Sequence, residues 1–266
     1  MKLSIITICY NIKNEIRRTC ESIINQSYQD FEWIIVDGGS TDGTLDVLNE
    51  YKDRINIFIS EKDGGIYDAM NKGILKASGE YINFMNGGDC FYDEKSLKIA
   101  TSFICDKDIY YGNSKFLTKD DFFIKDCPNV LPNGWFKNDC IPHQSCYIKK
   151  ELFDKYGLYN PNNKIVSDWE KWIIFIEVNK SSYQKIDEIL SIHNYTGISS
   201  TNSEQHVKER ASVIDKYYNE VVSSFVKVKT YKKILGLTWL KTTKTETIKS
   251  FYLFGWLPIL KIRRFV

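Results

Sequence analysis

Short apolar runs recur along the first ninety positions, each closed by small or acidic residues. Leu3 to Ile8, Phe31 to Val36, Ile55 to Ile59 and Tyr81 to Met85 read as strands. Between them, Glu15 to Asn25 sets Ile16, Cys20, Ile23 and Ile24 on one helical face. Leu45 to Tyr51 keeps helical spacing, and Ile66 to Ala77 opens a helix at a Gly-Gly turn. This strand–helix alternation predicts an α/β domain with a mostly parallel central sheet flanked by helices. Past Asp89 the pattern changes. Helices are expected over Glu94 to Cys105, Lys149 to Tyr156, Asp168 to Val178 and Glu204 to Val222. Strands are expected over Asp108 to Tyr111, Tyr183 to Ile186 and Ile189 to Asn194. Residues 112 to 142 carry Asn-Gly and Pro-Asn breakers and predict strands and long loops.

Three of the strands end in a carboxylate beside glycines. Asp37-Gly38-Gly39-Ser40-Thr41-Asp42 follows the second, Asp63-Gly64-Gly65 the third, and Asn86-Gly87-Gly88-Asp89 the fourth. Glycines let the chain turn sharply and let a ligand approach the backbone. In open α/β sheets ligands bind beyond the carboxyl ends of strands, so these turns are candidate site residues. Each acid has a bland alternative as a turn or helix cap.

With Ser4 to Asn11, Asp37 to Thr44, Asp63 to Gly73 and Asn86 to Asp89 in this order, the chain resembles the family 2 glycosyltransferases of bacterial surface-polysaccharide type. These have the GT-A fold, a Rossmann-like arrangement, and the resemblance covers roughly the first two hundred residues. It implies an inverting transfer of a hexosyl or N-acetylhexosaminyl group from a nucleotide sugar, UDP by family base rate, to a glycan hydroxyl. Thr7, Tyr10, Asn11, Asp37, Gly38, Asp63, Asn71, Lys72 and Gly88 would then bind the donor. Asp37 would accept hydrogen bonds from the nucleoside, and Lys72 would help neutralise phosphate. Asp89 stands where the family carries its metal-binding Asp-x-Asp, with Asn86 and Gly88 in the other places. It would hold Mg²⁺ or Mn²⁺, with His193 as a further metal or phosphate contact.

Ser167-Asp168-Trp169-Glu170 resembles the family's late acidic motif and implies Asp168 as the catalytic base, with Glu170 as its rival and an acceptor contact. A base with raised proton affinity wants an apolar wall, which Trp169 or Trp172 would supply. His143 and Gln144 are expected to touch acceptor or donor sugar. Thr196 to Ser200 resembles a loop that closes over the diphosphate. A first-turn helix acid remains the other reading of Asp168.

Composition changes the picture mainly at the C-terminus. A hydrophobic fraction of 43% and a charged fraction of 26% suit a globular chain and exclude a disordered one. No run reaches the length of a transmembrane helix, and the immediate entry into a strand leaves no room for a signal peptide. Seven cysteines without CxxC spacing suggest reduced thiols. From Lys227 to Val266 there are ten basic residues and one acid, a net of +9, which leaves −7 for residues 1 to 226 within the overall +2. Phe251, Tyr252, Phe254 and Trp256 lie among those charges. Such a tail suits an anionic membrane surface better than nucleic acid, for which there is no motif. Two regions are expected: a catalytic body, 1–222, with a nucleotide-binding half (1–110) and an acceptor-binding half (111–222), and an amphipathic extension, 223–266. The whole points to a cytoplasmic protein, peripheral at the inner face of the membrane, working on a lipid-linked glycan acceptor. The rivals are a non-catalytic membrane adaptor of the same fold and a sugar nucleotidyltransferase. The latter wants a Lys/Gly-rich signature after the first strand, where this chain has Cys9-Tyr10-Asn11.

Overall fold

A computed structural model describes residues 3–194 and 203–219, together with the backbone of three later strands. The chain forms two compact units, Met1–Ala211 and Ser212–Val266.

The first unit is built on a nine-stranded sheet of order β3-β2-β1-β4-β8-β6-β9-β5, with β7 paired to β6. β1 (Leu3–Cys9), β2 (Phe31–Asp37), β3 (Ile57–Ser60) and β4 (Tyr81–Phe84) form a parallel block. β1 and β4 are buried at every position, as continuous apolar runs covered on both faces must be. β3 alternates half-buried and exposed residues, which suits the sheet edge. α1 (Lys13–Ile24) packs Ile16, Cys20 and Ile23 inward, one helical face at i, i+4 and i+7. α2 (Thr44–Asn49) and α3 (Ile66–Lys76) complete the crossovers, and α3 lies against β1 and β2.

Beyond β4 the topology departs from simple alternation. β8 (Cys146–Lys149) runs antiparallel between β4 and β6 (Ile109–Leu117), with Ile148 opposite both Ile82 and Ile109. β6 and β9 (Tyr183–Asn194) are parallel to each other, so six of the nine strands share one direction. β9 is a single twelve-residue strand where two short ones were expected. Irregularities in its register with β6 fall around Asn113. β5 (Cys90–Phe91) and β7 (Phe122–Lys125) are short antiparallel additions. α4 (Ser96–Phe103) and α5 (Lys150–Tyr156) fall within their expected segments. The helix expected to reach Val178 is regular only over α6 (Ser167–Trp172) and continues as a wider π turn, Ile173–Val178. α7 (Ser203–Ile214) likewise passes into a π turn at Asp215–Asn219.

One consequence of the antiparallel β8 fixes the site. Its entry turn, His143–Ser145, lies at the end of the sheet where β4 exits into Asn86–Asp89. Asn83 bridges the two by donating its amide to the carbonyls of Gln144 and Cys146, both at 2.9 Å.

In the second unit, β10 (Lys241–Thr245), β11 (Ile248–Leu253) and β12 (Leu257–Arg263) pair as an antiparallel meander. The tail's side chains, and the loop expected over 196–200, lie outside the described residues. No helix among the described residues is long and apolar enough to cross a membrane.

Candidate active site

The turn after β2 is organised by Asp37 itself. Its carboxylate is fully buried and takes the backbone N–H groups of Gly39 and Ser40 at 3.0 Å and the Ser60 hydroxyl at 2.7 Å. The Ser40 hydroxyl and the Cys9 thiol also point at it. In this structure the Asp37 carboxylate is engaged by the chain and builds the turn. The open carboxylate at this rim belongs to Asp63. Its Oδ1 accepts from Gly65 N at 2.8 Å, and no described residue donates to Oδ2. A Cβ at Gly38 would lie 2.7 Å from that Oδ2 and 3.2 Å from the Tyr10 ring, so a larger residue would have to displace the Asp63 side chain. Tyr10 is 61% exposed, so its ring offers a face to solvent above the turn.

Other expected donor contacts are occupied. The Thr7 hydroxyl is buried in β1 and accepts the Trp33 indole N–H at 3.0 Å. Asn11 accepts from Thr41 N through its side chain and shapes the loop. Both ends of the Asn71 amide bond the backbone of Tyr159, which ties α3 to the loop before α6. Lys72 pairs with Glu61 at 2.8 Å and Asp68 at 3.6 Å, so its charge is already answered. Thr7, Asn71 and Lys72 thus each have a protein partner in this structure.

The turn after β4 supplies a second cluster. Gly88 has φ +97°, a conformation that favours glycine, and its N–H donates to the Thr19 hydroxyl at 2.9 Å. β5 pairs Cys90 with Ile192, so the next residues out, Asp89 and His193, are brought together. Asp89 Oδ1 lies 2.8 Å from His193 Nδ1, and Oδ2 accepts from the Gln144 amide at 2.8 Å. Burial pushes Asp89 up, but His193 and Gln144 outweigh it and hold the carboxyl below its ordinary value. Burial pushes His193 down, and Asp89 outweighs that. Gln144 also places its amide nitrogen 2.7 Å from the same Nδ1. A protonated Nδ1 serves Asp89 but opposes Gln144, whereas a bare Nδ1 serves Gln144 and needs a cation between itself and Asp89. The separation of 2.8 Å is close to that of neighbouring donors on an octahedral ion with bonds of about 2.1 Å. Asp89 Oδ1 also accepts the Asn194 N–H at 3.2 Å, so Asp89 and His193 are the side chains that would hold a divalent cation here. No group of three such side chains occurs among the described residues.

Asp168 opens α6. Its Oδ1 faces the Tyr67 hydroxyl at 2.7 Å and its Oδ2 faces His143 Nδ1 at 3.2 Å. Burial pushes this carboxyl up, but His143, Tyr67 and the Trp169 N–H outweigh it and leave the group below its ordinary value. The raised proton affinity expected of the base is therefore not found. Trp169 and Trp172 are buried in the core, with their indole N–H groups given to carbonyls of residues 136, 139 and 141. Glu170, two positions on, points elsewhere. It is 3% exposed and accepts from the Asn163 amide at 2.8 Å, which anchors the loop before α6.

His143 and Gln144 are consecutive, so they join the two clusters. His143 reaches Asp168 while Gln144 reaches Asp89. Tyr67 and Asn86 were not singled out in the sequence as site residues. Tyr67 sits in the first turn of α3, four residues after Asp63, and that spacing was the available signal.

Residues 4–168 match the profile of the family described as Glycosyl transferase family 2. The chain belongs to this family. A PGL/p-HBAD biosynthesis glycosyltransferase of Mycobacterium bovis (strain BCG / Pasteur 1173P2) is 32% identical over 173 residues, 63% of this chain and 66% of that protein. This chain therefore spans just under two thirds of that relative. The putative teichuronic acid biosynthesis glycosyltransferase TuaG of Bacillus subtilis (strain 168) is 27% identical over 190 residues, 68% of this chain and 74% of TuaG. Among solved structures, S. aureus TarS 1-349 in complex with UDP-GlcNAc superposes with a TM-score of 0.65 at 20% identity. That match covers 82% of this chain and 68% of the other. The shared fold is the α/β GT-A arrangement.

Proposed function

We propose that this protein is an inverting glycosyltransferase that moves one sugar from a UDP-linked donor to a hydroxyl of a growing cell-surface glycan. The observation that carries this reading is the joining of Asp168 to the Asp89–His193 pair through the consecutive residues His143 and Gln144. Asp168 takes the acceptor's proton as its oxygen attacks the anomeric carbon from the face opposite the diphosphate. Asp63, Gly38 and Tyr10 form the nucleoside rim. Asp89 and His193 would hold Mg²⁺ or Mn²⁺, which when bound would supply positive charge for the departing diphosphate. The UDP and UDP-GlcNAc complexes of TarS support the donor class, and the PGL/p-HBAD and teichuronic acid biosynthesis names of the relatives support a glycan acceptor.

Thermal melting with UDP-GlcNAc, UDP-glucose and UDP-galactose, with and without Mn²⁺, tests the donor assignment. A donor present at about a hundred times its Kd stabilises the native state by about 2.7 kcal/mol. The rise is expected with Mn²⁺, to shrink in excess EDTA, and to be lost in Asp89→Ala. An EDTA-insensitive rise that survives Asp89→Ala would remove the metal from the reading.

The basic and aromatic segment 227–266 holds the enzyme at the inner face of the membrane, beside a lipid-linked acceptor. Its charge supports this, with each Lys or Arg worth about 1 kcal/mol near an anionic surface. Full-length protein is expected to float with anionic liposomes at low salt and less so at high salt. Indifference to liposomes at both would detach the acceptor from lipid.

A further inference from the structure

His143 contacts Asp168 through Nδ1, and its other ring nitrogen is also held. Asn86 Nδ2 lies 3.0 Å from His143 Nε2, and Asn86 is nine-tenths buried in the turn after β4. An amide N–H₂ can only donate, so Nε2 accepts and carries no proton. A neutral imidazole with a bare Nε2 holds its proton on Nδ1, where it faces Asp168 Oδ2 at 3.2 Å. The opposite amide orientation would turn Oδ1 toward Nε2. It would leave the N–H₂ in the buried place where Oδ1 now has no partner among the described residues. A stranded buried donor is rarer than an under-used carbonyl, which favours the orientation described.

We propose that His143 is a positioning residue for Asp168, with Asn86 as the residue that fixes its tautomer: Asn86 donates to Nε2, and Nδ1–H is thereby committed to the Asp168 carboxylate. This deepens the function proposed above and rests on Asp168 being the base. Tyr67 holds the other oxygen from α3. That hydroxyl also lies 2.7 Å from the Ile165 carbonyl. It donates to Asp168 while the carboxylate is ionised. When Asp168 has taken a proton, the hydroxyl turns to Ile165 and accepts from Asp168. The two partners thus fix the carboxylate plane from either side, and Tyr67 accommodates both of its protonation states. Besides His143, the titratable groups that face Asp168 are Tyr67, Tyr159, Cys140, Cys146, His193 and His206. None of these shares the bridge between Asp168 and the β4 turn.

The chain has three histidines, so imidazole nitrogens can be read individually in full-length protein labelled with ¹⁵N. His143 is assigned by the signal that His143→Gln removes. At neutral pH without metal, wild type is expected to show the Nδ1–H form at His143. Asn86→Asp, which replaces the donor with an acceptor, is expected to move a proton onto Nε2. An Nε2–H form in wild type overturns the proposal, as does an unchanged tautomer in Asn86→Asp.

Hydrolysis of the stabilising UDP-sugar, followed from acid to neutral pH, gives the kinetic half. The Asn side chain places its N–H₂ near the position of Nδ1, and the Gln side chain near that of Nε2. His143→Asn should therefore keep the acid limb near wild type. In His143→Gln and His143→Ala the limb should move up by about one pH unit, since Asp168 loses a donor to its charged form. kcat should fall about tenfold or more in both, with KM for the donor little changed. A lowered melting point with an unmoved acid limb would make His143 merely structural and end the proposal. A raised KM alone would make it a sugar contact, with the same result. Failure of the underlying reading looks different: Asp168→Asn would remain active, whatever tautomer His143 shows.

Discussion

Asp168→Asn is expected to bind UDP as the parent does and to lose sugar transfer by about 10²–10⁴-fold, the usual range for removing a general base. The amide keeps the shape of the carboxylate: its oxygen can accept from His143 Nδ1–H while its N–H₂ donates to the Tyr67 hydroxyl, which turns to the Ile165 carbonyl, so the start of α6 should hold its geometry. What it cannot do is take a proton. Titration calorimetry with UDP and single-turnover transfer separate the two effects. The pH dependence of the parent follows from the direction of the Asp168 shift. A group held below its ordinary value is ionised through mildly acidic pH and fails only as pH drops through that lowered value. Activity should therefore persist on the acid side. Such a carboxylate is a weak base, so its contribution to rate comes from orientation more than from proton affinity. Full activity in Asp168→Asn, with Glu170→Gln inactive, would move the base. Against that stands the burial of Glu170 and its bond to Asn163, which make the Glu170 variant a candidate for lost stability instead.

The parallel block was legible because each strand is a continuous apolar run and each crossover helix has a clear inward face. β1 and β4 are buried at every position, and the Ile16, Cys20 and Ile23 face of α1 is where periodicity put it. β8 was not legible as a strand. Cys146-Tyr147-Ile148-Lys149 is too short for periodicity to speak, and its direction depends on β4 and β6, far away in sequence. That one strand places His143 and Gln144 beside Asn86 and Asp89, so the missed strand and the missed Asn86–His143 contact share a cause. The site acids themselves were visible as strand-end residues, and the resemblance to family 2 gave Asp168 and Asp89 their candidate roles. What a strand end cannot reveal is whether a carboxylate faces outward. Asp37 and Asp63 stand in similar Asp-Gly-Gly sequences, yet one is sealed by hydroxyls and amides while the other keeps an oxygen at the rim. Asn71 and Lys72 show a related limit. A helix position gives the side chain's face but not the partner already waiting there, Tyr159 in one case and Glu61 in the other.

Asp37→Ala is expected to destabilise the fold before it can report on ligand binding. The substitution strands the Gly39 and Ser40 N–H groups and the Ser40 and Ser60 hydroxyls around a site with no exposure. A buried donor left unpaired costs about 1–3 kcal/mol, and some of these will recover partners by local shifts. A net loss of about 3–5 kcal/mol is the expected scale, against a total stability of about 5–15 kcal/mol for a typical domain. Urea unfolding followed by circular dichroism should show a much lower midpoint. UDP binding should weaken with it, because Gly38 and the Asp63 rim depend on the same turn. Ser60→Ala is the calibrating variant. It removes one donor and leaves the carboxylate with its two backbone N–H partners, so it should cost only about 1 kcal/mol. Asp37→Asn should fall between them, since its amide nitrogen would face donors whichever way it turned. If Asp37→Ala instead unfolds with the parent's midpoint and loses only UDP affinity, the carboxylate is a ligand contact. The hydrogen bonds seen around it would then be ones that a bound nucleoside displaces.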